Sequence, residues 1–309
     1  MTAAILAARQ RLEDRIPLAG APVLVVLAGV LAAVAALELA SSWGSATAGA
    51  EGASLARIGT SASLLAGLAT AAGAAPVFFV SRISERLRNA MLAFGAGVML
   101  AASFFSLILP GFEAAVVSTG ATAVAGLTVT AGVGLGALFL YLSHELVPQR
   151  NFVAGPAGVG PEKLKRVWLF VAAITLHNFP EGLAVGVGFG EGDLARGAAL
   201  ALGIGLQNMP EGLVVALALA AAGYTRAKAW GVALAGGLVE PIGGAFGAGV
   251  VAFAQPLLPW ALAFAAGAML LVVARDIIPE SYRHGHDLRV TAGVTGGFVV
   301  MMALDLAPL

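Results

Sequence analysis

A series of apolar runs, each about 20 residues long, limits this chain more than any other feature. That length lets a helix cross roughly 30 Å of hydrocarbon. Nine such segments are read at about 18–39, 59–80, 90–109, 121–142, 167–189, 197–222, 229–254, 257–278 and 290–306. Apolar residues make up 59% of the 309 and charged residues only 11%, against roughly 25% charged in soluble domains. A water-soluble fold is excluded. The runs are too uniform for barrel strands, which alternate, so helix is left as the way to satisfy the backbone in lipid. The 41 glycines, interleaved with alanine, fit that reading because small residues let membrane helices approach closely. The expected class is an all-α integral membrane protein.

Basic residues set the predicted orientation. With a cytoplasmic N-terminus, the inner segments hold Arg9, Arg11, Arg15, Arg82, Arg86, Arg88, Arg150, Lys163, Lys165, Arg166, Arg226, Lys228, Arg283 and Arg289, fourteen of the seventeen Lys and Arg. Arg57 and Arg196 fall outside, and Arg275 lies at the inner end of the eighth segment. This is the asymmetry of the positive-inside rule, and it places the C-terminus outside. The first segment is longer than the usual leader core and is read as an anchor helix. The chain has no cysteine and zero net charge, so there is no disulfide or thiolate metal site and no sign of a nucleic-acid partner.

The chemistry lies mid-membrane. The fifth segment carries His177-Asn178-Phe179-Pro180-Glu181-Gly182, and the sixth carries Gln207-Asn208-Met209-Pro210-Glu211-Gly212. One motif appears twice on helices that run in opposite directions, which implies a pseudo-two-fold axis in the membrane plane, as in transporter cores. The seventh segment adds Glu240-Pro241. Each carboxylate at a helix centre costs roughly 2.5–3.5 kcal/mol, and these stretches contain no Lys or Arg to offset it. A bound cation or proton must do so. His177 and Glu181 are i, i+4 neighbours, as are Gln207 and Glu211; Asn178 and Asn208 sit three residues before their Glu. Each Pro frees a carbonyl, that of Leu176 or Leu206. Imidazole, carboxylate and amide oxygen suit Zn²⁺, with Cd²⁺, Fe²⁺ and Mn²⁺ as further candidates; Met99 and Met209 are thioether candidates. A lone Pro is usually a packing kink, a lone buried His a satisfied core residue, and a lone Glu can be a proton relay. The duplication, with a third Glu-Pro, argues against these separate readings.

At these residues the chain resembles the ZIP (ZRT/IRT-like) metal permeases, particularly bacterial members, over roughly 59–306. The resemblance implies an eight-helix transporter bundle with inverted-repeat character, here with one extra N-terminal transmembrane helix. The corresponding division is residues 1–58 (N-terminal stretch, anchor helix and outer loop) and 59–309 (transporter domain). It also implies a binuclear centre: His177, Glu181, Gln207 and Glu211 at one metal with Met99 nearby, and Asn178, Glu181, Asn208, Glu211 and Glu240 at the other, the two Glu bridging. The Met99 assignment rests on the local match M-L-A-F-G-A-G-V-M-L, and Ser106 looks like an entrance residue. Many members have His where this chain has Gln207, and a His-rich loop where Val147 to Arg166 has none.

Uptake of a divalent ion, zinc first, by alternating access is therefore expected, with no organic cofactor. The resemblance further implies that the second, third, fifth and sixth segments move, that the protein is a homodimer, and that it lies in a bacterial inner membrane. His144 and Glu145, with Asp276, Glu280, His284 and His286, are a candidate cytoplasmic exit site. Glu113, Glu191, Asp193 and Asp305 are read at the outer face, where they can attract cations. The rivals are an intramembrane metalloprotease, which would need an H-E-x-x-H helix, a proton- or sodium-coupled carrier of an organic solute, and a metal sensor.

Overall fold

The computed structural model describes residues 49–146, 160–190, 192–283 and 288–306. The predicted anchor helix at 18–39, residues 284–287 and most of the Val147–Arg166 loop lie outside them. Eight described helices are long and apolar enough to cross a membrane: α1 (Ser54–Phe78), α2 (Glu85–Thr119), α3 (Thr122–Ser143), α4 (Val167–Gly190), α5 (Leu194–Ala221), α6 (Arg226–Ala252), α7 (Leu258–Tyr282) and α8 (Leu288–Leu306). No strand occurs among the described residues. The chain is an all-α, multi-pass membrane protein. Side-chain caps start three helices: Ser84, Asp193 and Thr225 accept from the backbone N–H groups of Leu87, Arg196 and Lys228, which satisfies donors that a first turn leaves free.

Two helices outrun their predicted ends. The segment expected to stop at 109 continues to Thr119, and the one expected to stop at 278 continues to Tyr282. A proline stands at each predicted end. Pro110 and Pro279 offer no N–H, and their rings crowd the carbonyl four residues back. In both cases the turn before the proline widens into a π-helix, Ala102–Ile108 and Val273–Ile277. Leu109 N–H then bonds Phe104 O, and Ile278 N–H bonds Val273 O. The helix passes the proline without breaking.

The helices pair as an inverted repeat. α1 packs most extensively on α5 and the second half of α6 on α4, while α2 packs on α8 and α7 on α3. Exchanging α1 with α6, α2 with α7, α3 with α8 and α4 with α5 maps these pairings onto one another. Sequence follows the same exchange: Gly67-Leu68-Ala69-Thr70-Ala71-Ala72-Gly73 in α1 matches Gly237-Leu238-Val239-Glu240-Pro241-Ile242-Gly243 in α6. A Cβ on Gly67 would strike the Gly237 carbonyl, and one on Gly237 the Gly67 carbonyl; likewise Gly212 abuts Thr70 O as Gly182 abuts Glu240 O.

Those glycines also divide the bundle. Backbone-to-backbone contact joins α1, α4, α5 and α6 through Gly59, Gly67, Gly73, Gly182, Gly186 and Gly212. A second set joins α2 to α8 (Gly97 on Val294 O, Gly297 on Phe94 O) and α3 to α7 (Gly136 on Phe264 O, Gly267 on Val133 O). Between the two bodies, the described glycines meet side chains instead. Gly203 lies under Met301 Sδ, and Gly95 faces Gln207 Cβ and Glu211 Oε1 at 3.7 Å.

Candidate metal centre

The twin motifs lie side by side in the first body. α4 runs through Pro180 and α5 through Pro210 as continuous helices, and Glu240 follows the short turn that interrupts α6 at Leu238–Val239. His177, Asn178, Glu181, Gln207, Asn208, Glu211 and Glu240 are all buried, none more than 2% exposed. Burial of three carboxylates together in lipid is the dominant electrostatic fact of the molecule. Glu181 lies within Coulombic reach of Glu211, and Glu240 within reach of both.

Amides hold the carboxylates in place. Gln207 Nε2 donates to Glu181 Oε1. Asn208 Nδ2 donates to Glu240 Oε1 at 2.8 Å and to Ala66 O at 2.9 Å, while Ser63 Oγ donates to the Glu240 carbonyl at 2.8 Å. Even so, seven buried oxygens find no hydrogen-bond donor among the described residues: Glu181 Oε2, both Glu211 oxygens, Glu240 Oε2, Gln207 Oε1, Asn178 Oδ1 and Asn208 Oδ1. Each such group costs about 1–3 kcal/mol, and charged ones more. The donors in place leave a surplus of acceptors, and a cation is the chemical complement of that surplus. No three described His, Asp or Glu side chains are grouped so as to hold a metal by themselves; the unpartnered amide oxygens of Asn178, Gln207 and Asn208 are the further oxygen donors beside them.

The other predicted site residues are more dispersed. Met99 is fully buried, one turn beyond Gly95 on α2. Met209 is 43% exposed and stands outside the cluster. Asp276, expected at the membrane surface with Glu280, instead reaches inward, its Oδ2 lying 3.2 Å from His177 Nε2. Glu280 stays at the rim, 3.3 Å from Arg283 Nη1 and 4.0 Å from Arg88 Nη2. The side chains of His144 and Glu145, and the whole of His284, His286 and Glu191, lie outside the described residues. Ser106 is buried and donates to Asp305 Oδ1 at 2.8 Å, tying α2 to the last turn of α8.

Water-sized space reaches the cluster from one side. A cavity of about 550 Å³ runs from His177 and Asp276 to Arg88, Glu280 and Arg283. On the other side of the site, Met99, Ala102, Leu200, Ile204, Met269 and Met301 form part of a fully buried apolar core. A separate cavity of about 510 Å³ at the far end of the bundle is lined by Glu113, Asp193 and Arg196. The sequence reading missed Ser63 and Thr70. The seven-residue repeat in α1 and α6 was the signal that could have found Thr70.

Known proteins are similar to this chain over most of its length. A family model described as "ZIP Zinc transporter" matches residues 159–305. The chain is 45% identical over 249 residues to the zinc transporter GufA of Myxococcus xanthus, covering 81% of this chain and 98% of that protein. It is 41% identical over 239 residues to the zinc transporter ZIPB of Bordetella bronchiseptica, 77% of each chain. The human zinc transporter ZIP11 is 38% identical over 77% of this chain and 93% of its own length.

Proposed function

The chain belongs to the ZIP zinc transporter family, and on that premise we propose that it carries divalent metal ions, zinc foremost, through the cluster of Glu181, Glu211 and Glu240. The observation that carries this reading is the surplus of buried acceptor oxygens around three carboxylates, in helix stretches without Lys or Arg. The relatives described above, all named zinc transporters, support it.

In this reading two ions share the bridging Glu181 and Glu211. One is held with His177, Gln207 and Met99, and the other with Asn178, Asn208 and Glu240. Gln207 in place of a second imidazole weakens the claim of zinc on the first site, so Cd²⁺, Fe²⁺ and Mn²⁺ are secondary cargoes. Transport runs inward. With the basic side cytoplasmic, a divalent ion crossing a negative-inside potential gains about 4.6 kcal/mol per 100 mV. Residues 59–309 make up the transporting unit, assembled as a homodimer in a bacterial inner membrane, behind an N-terminal anchor helix.

The packing suggests how access alternates. α1, α4, α5 and α6 are interlocked at backbone level and carry the cluster, so they move together against α2, α3, α7 and α8. This regroups the expected moving set: α2, the third predicted segment, packs its glycines on α8, and α6 takes its place. The cavity at His177 opens to the cytoplasmic side, and the apolar core around Leu200 and Ile204 closes the other. Asp276, lining that cavity, receives the ion as it leaves His177.

The test is metal flux into liposomes containing the purified protein, with Zn²⁺ and Cd²⁺, for the wild type, His177→Ala and Glu211→Ala. Loss of flux in both variants is expected. Unchanged flux in both would overturn the assignment.

A further inference from the structure

Thr70 stands where the internal two-fold requires a partner for Glu240. The seven-residue repeat aligns the two, and their carbonyls abut the equivalent glycines, Gly212 and Gly182. The other members of the proposed second site already form two-fold pairs, Asn178 with Asn208 and Glu181 with Glu211. Glu240 alone lacks a counterpart.

The Thr70 hydroxyl is also in an unusual state. Buried Ser and Thr in helices usually donate to the carbonyl four residues back, as Thr60 does to Ala56 O at 2.8 Å and Ser103 to Met99 O at 2.7 Å. For Thr70 that carbonyl is Ala66 O, which accepts instead from Asn208 Nδ2 at 2.9 Å. Thr70 is 3% exposed, and its Oγ1 has no hydrogen-bond partner among the described residues. Its side chain lies against Gly237, one turn before Glu240, so it faces the α1–α6 crossing beside the cluster.

We propose that Thr70 is a specificity-determining residue: its hydroxyl supplies, through one water, a neutral oxygen to the oxygen-lined second site, from the position the two-fold makes equivalent to Glu240. A threonine side chain ends at the γ position, whereas a glutamate carries its oxygens two bonds farther, and a water fills that difference. The inference rests on the metal-carrying reading and deepens it. An all-oxygen site that keeps a water suits ions such as Mn²⁺ that favour six oxygens, whereas the imidazole of His177 favours zinc at the first site. Thr70 therefore sets how well the protein accepts oxygen-preferring ions relative to zinc.

The experiment measures Mn²⁺ and Zn²⁺ binding and flux for the full chain in liposomes, for wild type, Thr70→Val, Thr70→Ser and Glu211→Gln. Valine keeps the shape and removes the hydroxyl. Thr70→Val is expected to weaken Mn²⁺ roughly tenfold, as loss of a supporting hydrogen bond does at metal sites, and Zn²⁺ by a smaller factor. Thr70→Ser restores the wild-type ratio. Equal losses for both ions, an unchanged ratio, or a wild type that takes up Zn²⁺ but not Mn²⁺ would overturn the role of Thr70. Thr70→Ala replaces the valine variant if that does not fold. If Glu211→Gln leaves both ions unaffected, the metal-carrying reading itself fails.

Discussion

The two glycine-locked bodies bury different things. Among the described residues, α1, α4, α5 and α6 hold the buried Thr60, Ser63, Thr70, His177, Asn178, Glu181, Gln207, Asn208, Glu211 and Glu240. The other body holds only Asn89, Ser103, Ser106 and Ser281. Yet both are assembled by the same device, glycine backbones pressed against carbonyls. Helix packing in lipid thus places no demand on the polarity of what the helices enclose. One body encloses the polar cluster, and the other meets it with buried apolar side chains such as Met99 and Met269, Asp276 excepted.

Four experiments break or sharpen that contrast. The largest effect belongs to the carboxylates of the polar body: on the proposed metal-carrying role, Glu181→Ala should reduce metal flux about 100-fold or more, as loss of a direct ligand outweighs loss of a supporting partner. Ser103→Ala in the other body should leave flux near wild type, because its hydroxyl is satisfied within its own helix. Comparable losses would erase the distinction between the bodies. Next, zinc at 100 times its dissociation constant should stabilise the protein by about 2.7 kcal/mol, lost on chelation. Hydrogen exchange should slow in α4 and α5 more than in α3 and α8, and uniform slowing would refute separate bodies.

Glycines supply a third, smaller effect. Gly182→Ala, whose Cβ would strike the Glu240 carbonyl, should cost about 1–3 kcal/mol, measured by thermal unfolding in detergent. Gly203→Ala, opposed only by the flexible thioether of Met301, should cost less. Equal costs would remove the basis for the boundary. The smallest effect concerns a clamp within the polar body. Arg226 donates to Phe78 O at 2.6 Å and to Ser81 Oγ at 2.9 Å, pinning the end of α1 to the start of α6. Arg226→Gln should cost about 1 kcal/mol in the same unfolding assay.

Much of this was readable in the sequence, because hydrophobic length and the twin motifs are local signals. The eight described spans fall close to their predicted places. The misses cluster at prolines: Pro110 and Pro279 read as ends, whereas a widened turn carries each helix onward. The same cause displaced Asp276, which a helix ending at 278 would leave near the surface. Thr70 and Ser63 escaped notice because their roles depend on a repeat whose polar members have diverged, threonine against glutamate. The split into two bodies was not legible, since composition does not say which glycine meets which carbonyl.

Asp276 lies inside the widened turn of α7, Val273–Ile277. Each residue of an ordinary α-helix advances the side chain about 100° around the axis, and the widened turn holds one residue more than its α equivalent. The carboxylate's aim at His177 is therefore a matter of angular phase, set by a widened turn that precedes a proline three residues away. Straightening that turn would swing the acid away from the imidazole without altering a single residue of the cluster.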